Sequence, residues 1–178
     1  MPHALMPLLR ASIAAGLLAA AGTGLAADPP LEQRLQRLED REEIRNLLLE
    51  YGRALDQRDF AAFADLFAET EGEWVGGLGT AKGRDAIREL METTIGSGLG
   101  NAPPSSFHLF TNERIDVDGD RAEGVTKWVF VMQGASGDSA PEWVYLGHYD
   151  DTFIRENGRW RFLRREAFTD LPVQEASE

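Results

Sequence analysis

The spacing of apolar positions divides the chain into a helical first half and an extended second half. Leu31, Leu35 and Leu38, then Ile44, Leu48, Tyr51 and Leu55, recur at intervals of three and four residues, the period of an amphipathic helix. The register shifts between Leu38 and Ile44, so the front of this helix is expected to project and pair with a neighbour. Asp59 is suited to cap a second, short helix on which Phe60, Phe63 and Phe67 share one face. The two helices make a hairpin with Asp56 at its corner. Residues 73–75 read as a short strand closed by Gly76, Gly77 and Gly79, and helical spacing returns over 84–95 through Ile87, Leu90 and Met91.

Residues 96–106 are rich in Gly and Pro and read as a loop, a candidate lid or pocket rim. Four extended runs follow, at 107–117, 121–133, 143–154 and 159–168. Asp118-Gly119-Asp120 and Glu156-Asn157-Gly158 supply tight-turn chemistry between them. Helices first and an antiparallel meander after is an α+β order, with a curved sheet wrapped on the N-terminal helices.

The first 27 residues change the picture of where this domain works. Arg10, an apolar run over 11–21 and the small residues before Asp28 have the order of a cleaved signal peptide. The apolar run falls short of the ~20 residues a membrane span needs. The expected arrangement is a signal at 1–27, one domain at 31–170 and an acidic tail at 171–178, with the product periplasmic or secreted. The chain carries 30 Asp and Glu against 18 Lys and Arg, a formal charge of −12. Loss of Arg10 with the signal makes it more negative by one. Such a surface repels phosphate backbones and anionic lipid, so neither nucleic acid nor a membrane is an expected partner. Cysteine is absent, which excludes thiol chemistry and leaves stability to the core.

Three segments carry a family resemblance. Tyr51-Gly52-Arg53-Ala54-Leu55-Asp56 through Asp59-Phe60 resembles the helix corner of SnoaL-like proteins. Phe107-His108-Leu109 through Asp118-Gly119-Asp120 is similar to their histidine-bearing strand, and Gly147-His148-Tyr149 through Arg164-Arg165 to their last hairpin. The resemblance covers about residues 31–170 and implies a nuclear transport factor 2-like (cystatin-like) cone around one small-molecule pocket. Relatives of that superfamily include scytalone dehydratase, ketosteroid isomerase, limonene epoxide hydrolase and polyketide cyclases. Compared with scytalone dehydratase, Asp56 falls at the catalytic aspartate, His108 at the first catalytic histidine and Trp74 near a water-positioning tyrosine. The second catalytic histidine falls near Met132 or Gln133, and a serine and asparagine pair near Gly147 and Tyr149. The resemblance also implies self-association as a homodimer or homotrimer, with the leucine stripe at 31–38 as a second interface.

The residues themselves leave two readings of each candidate. His108 is either a general base whose tautomer Asp56 fixes or a hydrogen-bonded structural histidine. Asp56 is either that orienting carboxylate or a helix-end residue. Tyr149 shares a strand face with Asp151 and Phe153 and is placed in the pocket, whereas His148 falls on the other face. Tyr51 lines the pocket or packs the helix. Trp74, Phe110 and Trp128 are core aromatics, part of which form a ligand wall. His148, Asp150 and Asp151 are split between faces, so no metal is expected. Gly76-Gly77-Leu78-Gly79 lacks the context of a dinucleotide loop, so no cofactor is expected either. The favoured function is lyase, dehydratase or isomerase chemistry on a small hydrophobic or aromatic substrate. The alternative is a non-catalytic ligand-binding or assembly domain of the same fold.

Overall fold

The computed structural model describes residues 28–96, 106–132 and 140–172. The segment 1–27, most of the proposed lid at 96–106, Gln133 and the tail beyond 172 lie outside the described residues. Helix α1 (Leu31–Asp56) leads to α2 (Phe60–Asp65), strands β1 (Glu73–Gly76) and β2 (Gly79–Lys82), and helix α3 (Arg84–Met91). A π-helical turn (Glu92–Gly96) continues α3. Four long strands follow: β3 (Ser106–Asp118), β4 (Arg121–Met132), β5 (Glu142–Glu156) and β6 (Arg159–Leu171).

Two departures from the sequence reading concern short elements. β2 was expected as part of a Gly-rich closure, yet it pairs antiparallel with β1, Trp74 opposite Ala81 and Gly76 opposite Gly79. The expected helix over 84–95 loosens into the π turn after Met91, where Thr94 Oγ1 donates to the Leu90 carbonyl at 2.6 Å.

α1 has two environments. Leu31, Leu35 and Leu38 are 75, 53 and 61% exposed, and burial begins at Asp40, continuing through Ile44, Leu47, Leu48, Tyr51 and Ala54. The register shift therefore marks where the helix meets the body. Asp40 anchors that point by accepting hydrogen bonds from Gln36, Arg155 and Trp160.

The end of α1 is tightly built. The amide of Asp59 donates to the Ala54 carbonyl at 2.8 Å and that of Arg58 to the Leu55 carbonyl at 3.1 Å, the paired bonds of a Schellman motif. The left-handed residue of such a motif is usually glycine; here it is Arg58, at φ 55°. A side chain in that conformation costs about 1 kcal/mol. Asp59 then caps α2, its carboxylate accepting from the Ala62 amide at 3.1 Å. Phe60, Phe63 and Phe67 are all buried.

The six strands run in the order β2-β1-β6-β5-β4-β3. β1 lies parallel to β6, and the other neighbours are antiparallel. The long strands bend at register shifts, one between Thr111 and Arg114 in β3 and another between Thr152 and Phe153 in β5, as bulges do. Helices pack on one face, and Tyr51, Phe63, Phe67, Phe153 and Phe162 form a continuous aromatic core there. Gly147 in β5 permits the closest approach in the sheet: a Cβ there would overlap the Phe168 carbonyl oxygen and lie 2.5 Å from the Trp128 ring.

Candidate functional site

The end of α1 and the start of β3 meet at one end of the sheet, above a cavity of about 380 Å³. Asp56 is the last residue of α1 and His108 the third of β3. The imidazole Nδ1 lies 2.7 Å from Asp56 Oδ1, and the His108 amide donates to Asp56 Oδ2 at 3.0 Å. Both carboxylate oxygens are thus committed to one residue. The ring packs 4.7 Å from that of Phe130, and both members of the pair border the cavity. Their side chains are only 14 and 22% exposed, so water competes weakly for the contact.

Opposite this pair stand hydroxyl and indole groups. The inward face of α1 contributes Tyr51, β1 contributes Trp74, β4 contributes Trp128 and β5 contributes Tyr149, and all four line the cavity. Trp74 Nε1 donates to the Tyr51 hydroxyl at 3.1 Å, and the Tyr51 and Tyr149 rings meet edge to face with their centres 5.6 Å apart. Burial raises both phenols above their ordinary range, against the pull of Arg165, and Tyr149 is raised the further. Both therefore stand as neutral O–H donors. Trp128 Nε1 is buried with no hydrogen-bond partner among the described residues.

Phe110 departs from its expected place. It is absent from the cavity wall because its ring lies against α1, where a Cβ on Gly52 would approach within 2.7 Å. The missing side chain at 52 draws the aromatic onto the helix and out of the pocket. Met132, near the position expected for a second histidine, is likewise not a lining residue.

Behind the two tyrosines lies a group that sequence reasoning missed. Arg165, on β6, is fully buried and makes two 2.7 Å hydrogen bonds to Asp151. Its guanidinium carbon lies 4.1 Å from the Tyr51 ring centre, 4.0 Å from that of Tyr149 and 4.2 Å from that of Phe162. Burial pushes the Asp151 carboxyl up against the attraction of Arg165, while that carboxylate holds the guanidinium charged in spite of its own burial. The ion pair lies beneath the tyrosines, and neither phenol ring can shift without disturbing it. Asp151 shares the Tyr149 face by simple alternation, which was the available signal; Arg165 gave none.

The other face of the sheet is different. His148 Nδ1 lies 2.7 Å from Asp170 Oδ1, Lys127 donates to Asp170 at 2.8 Å, and the imidazole stacks on Phe168 at 4.8 Å. A second concavity there, about 350 Å³, is bordered by Arg114, Asp116, Glu123, Asp150 and Arg164. Its arginines are paired with carboxylates. Among the described residues no group of three or more His, Asp or Glu is gathered to hold a metal ion. No described helix is long and apolar enough to cross a membrane.

Comparison with known proteins adds the following. A family model described as a SnoaL-like domain matches residues 36–166. The uncharacterized Mycobacterium tuberculosis protein Rv2910c is 33% identical over 130 residues, spanning 72% of this chain and 84% of its own. The solved structure of an NTF2-like protein with a cystatin-like fold from Novosphingobium aromaticivorans superposes with a TM-score of 0.69 at 31% identity, covering 84% of this chain and 94% of that one. A putative scytalone dehydratase from the same organism gives 0.61 at 24% identity, covering 79 and 88%. Hexachlorocyclohexane dehydrochlorinase LinA-type3 from Novosphingobium barchaimii gives 0.62 at 20% identity, covering 82 and 99%.

Proposed function

The chain belongs to the SnoaL-like domain family, and we propose that within it this protein is an enzyme that removes a proton from carbon and thereby drives elimination or isomerisation of a small, partly apolar oxygen-bearing substrate. The observation that carries this reading is the two-point grip of Asp56 on His108 at the edge of an apolar cavity. An Nδ1–H donated to Asp56 leaves Nε2 as the basic nitrogen and stabilises the imidazolium that forms when it accepts a proton. The backbone bond to the same carboxylate fixes the strand, so the ring is held without having to be organised during the reaction.

The chemistry follows from what faces that base. His108 takes a proton from a carbon next to a carbonyl, and the C–H electron pair becomes the double bond of an enolate. The neutral hydroxyls of Tyr51 and Tyr149 hold the oxygen on which negative charge develops. In a dehydration the double bond then forms toward the adjacent carbon, its hydroxyl departs, and the imidazolium returns the proton to it as water. In an isomerisation the same proton returns to a different carbon. The described neighbours named for elimination of water and of hydrogen chloride support this class. Trp74 and Trp128 form the apolar walls that set the substrate's plane.

The test needs no native substrate. 2-Tetralone, a bicyclic ketone with acidic α-hydrogens, exchanges them with D2O, and catalysis of that exchange is read by proton NMR. The parent protein is expected to accelerate exchange, and His108→Ala to lower the rate about 100-fold. Asp56→Asn should do comparable damage, and the double variant should be little worse than either single one, because the pair acts as a unit. Binding of the ketone with no acceleration of exchange would favour a ligand-binding domain of the same fold. That second reading draws on the presence of one imidazole in the described pocket wall.

A further inference from the structure

The hairpin between β1 and β2 turns at Gly77 and Leu78, and both residues border the cavity. Two-residue turns favour glycine, asparagine, aspartate or serine, yet this tip carries a leucine that is 42% exposed. Trp74 from β1, Met91 from α3 and Ala167 from β6 border the same cavity, so Leu78 adds to an apolar share of its lining. Three of the four residues 76–79 are glycine, and two of them have steric reasons. A Cβ on Gly76 would lie 2.7 Å from the Trp74 ring and 3.0 Å from Ala167 Cβ. Gly79 sits at φ 132°, a conformation side chains rarely adopt. Gly77 has neither reason: a Cβ there meets nothing within 4 Å, and its φ lies outside the left-handed region. What glycine supplies at 77 is freedom of the backbone beside Leu78. The hairpin is also lightly anchored, since β2 ends the described row of strands and buries a single side chain, Ala81.

We propose that this tip is an adjustable flap and Leu78 a specificity-determining residue: when a substrate enters, the backbone bends at Gly77 and Leu78 lies over the apolar body of the bound molecule. This deepens the functional reading above and rests on it. Covering the exposed part of Leu78 removes apolar surface from water, which favours a substrate with a hydrocarbon body over a polar one of the same shape. Neither side chain of the tip carries a charge or a hydrogen-bonding group, so the flap selects by area and shape. Proton transfer stays with His108 and Asp56. A contact of this kind acts on substrate binding and not on the chemical step, and its loss appears in KM rather than kcat.

N-Phenyl-1-naphthylamine, a neutral fluorescent probe with an apolar aromatic body, tests this by titration and by stopped-flow mixing. Leu78→Ser keeps a residue suited to a turn and is expected to weaken the probe about 5-fold, whereas Leu78→Met should stay within about twofold. Gly77→Ala should melt no lower than the parent, because its methyl group meets open space and it restricts the unfolded chain. It should nonetheless slow both association and dissociation of the probe about threefold or more, as a stiffened flap does. In the 2-tetralone exchange assay, Leu78→Ser should raise KM and leave kcat within about twofold. The proposal is overturned if Leu78→Ser binds the probe as the parent does, if it lowers kcat and spares KM, or if Gly77→Ala leaves both rates unchanged. A Gly77→Ala protein that melts below the parent also overturns it, since glycine is then held for backbone geometry and not for freedom. Exchange absent from the parent, with the probe still weakened by Leu78→Ser, sinks the proton-transfer reading and leaves the flap standing on a binding pocket. Failure of the probe to bind the parent protein removes the apolar pocket, and flap and functional reading with it.

Discussion

Replacing Asp151 with asparagine keeps the shape of the buried side chain and removes its negative charge. Both side chains of the Asp151–Arg165 pair are inaccessible to water, and the two 2.7 Å bonds between them become at best one, because an amide presents a single acceptor. Breaking a buried pair from one side costs about 3–5 kcal/mol, since the remaining charge stays buried without its partner. Three aromatic faces within 4.0–4.2 Å of the guanidinium carbon offset part of this, as a desolvated cation–π contact is worth about 2 kcal/mol. The lower end, about 3 kcal/mol, is therefore expected. For a domain of this size it corresponds to a fall of roughly 6–12 °C in melting temperature. Urea unfolding followed by tryptophan fluorescence measures it, with Trp74 and Trp160 both buried in the core. The companion variant, Asp151→Leu with Arg165→Met, replaces the pair by apolar groups and is expected to lose less than Asp151→Asn alone. A loss under 1 kcal/mol for Asp151→Asn, or a double replacement worse than the single one, would refute the account of a buried and mutually dependent pair.

Two further outcomes follow from packing and charge. Gly147→Ala places a methyl group against the Phe168 carbonyl and the Trp128 ring, so β5 and β6 must separate; a loss of at least 1–3 kcal/mol is expected, and an unchanged urea midpoint would contradict it. Asp40 is held below the ordinary carboxylate range because its bonds to Arg155, Gln36 and Trp160 outweigh the opposing effect of its burial. With the folded value below the unfolded one, its stabilisation is complete above about pH 4 and fades as pH falls through the folded value. The stability difference between the parent and Asp40→Asn should therefore narrow as pH is lowered from about 5 toward 2, and a pH-independent difference in urea unfolding would rule this out.

The elements legible in the sequence are those whose chemistry is local. The turns at Asp118-Gly119-Asp120 and Glu156-Asn157-Gly158 announce themselves, and the observed strands begin and end within a few residues of the expected runs. The Asp59 cap and the helix end at Asp56 follow from residue type, but it is the resemblance to scytalone dehydratase that nominates Asp56 and His108 together before any contact is seen. β2 was hidden because a four-residue strand with one buried side chain, Ala81, carries almost no period. Phe110 was misplaced because alternation assigns a face, and not which neighbour on that face will claim the ring; the bare backbone of Gly52 decides it. Arg165 was missed for a sharper reason. Trp160 and Phe162 point inward, so strict alternation would bring Arg164 inward next. The register shift opposite Phe153 advances the pattern by one residue and buries Arg165 instead.

The register shift in β3 has another consequence, concerning life at high concentration. β3 ends the row of strands, so one side of its backbone has no strand beside it among the described residues. Flat, apolar strands in that position recruit other chains and seed filaments. The first half of β3 fits that description, with Phe107 and Leu109 each 47% exposed, and it is also the half that supplies the imidazole. Beyond it, Asn112 turns the backbone at φ 54° and the charged residues Glu113, Arg114 and Asp116 follow. A foreign strand aligning with His108 runs out of straight template within a few residues. The strand that carries the proposed base thus offers a foreign strand only a short straight template, and the kink that shortens it lies in the same edge as the pocket.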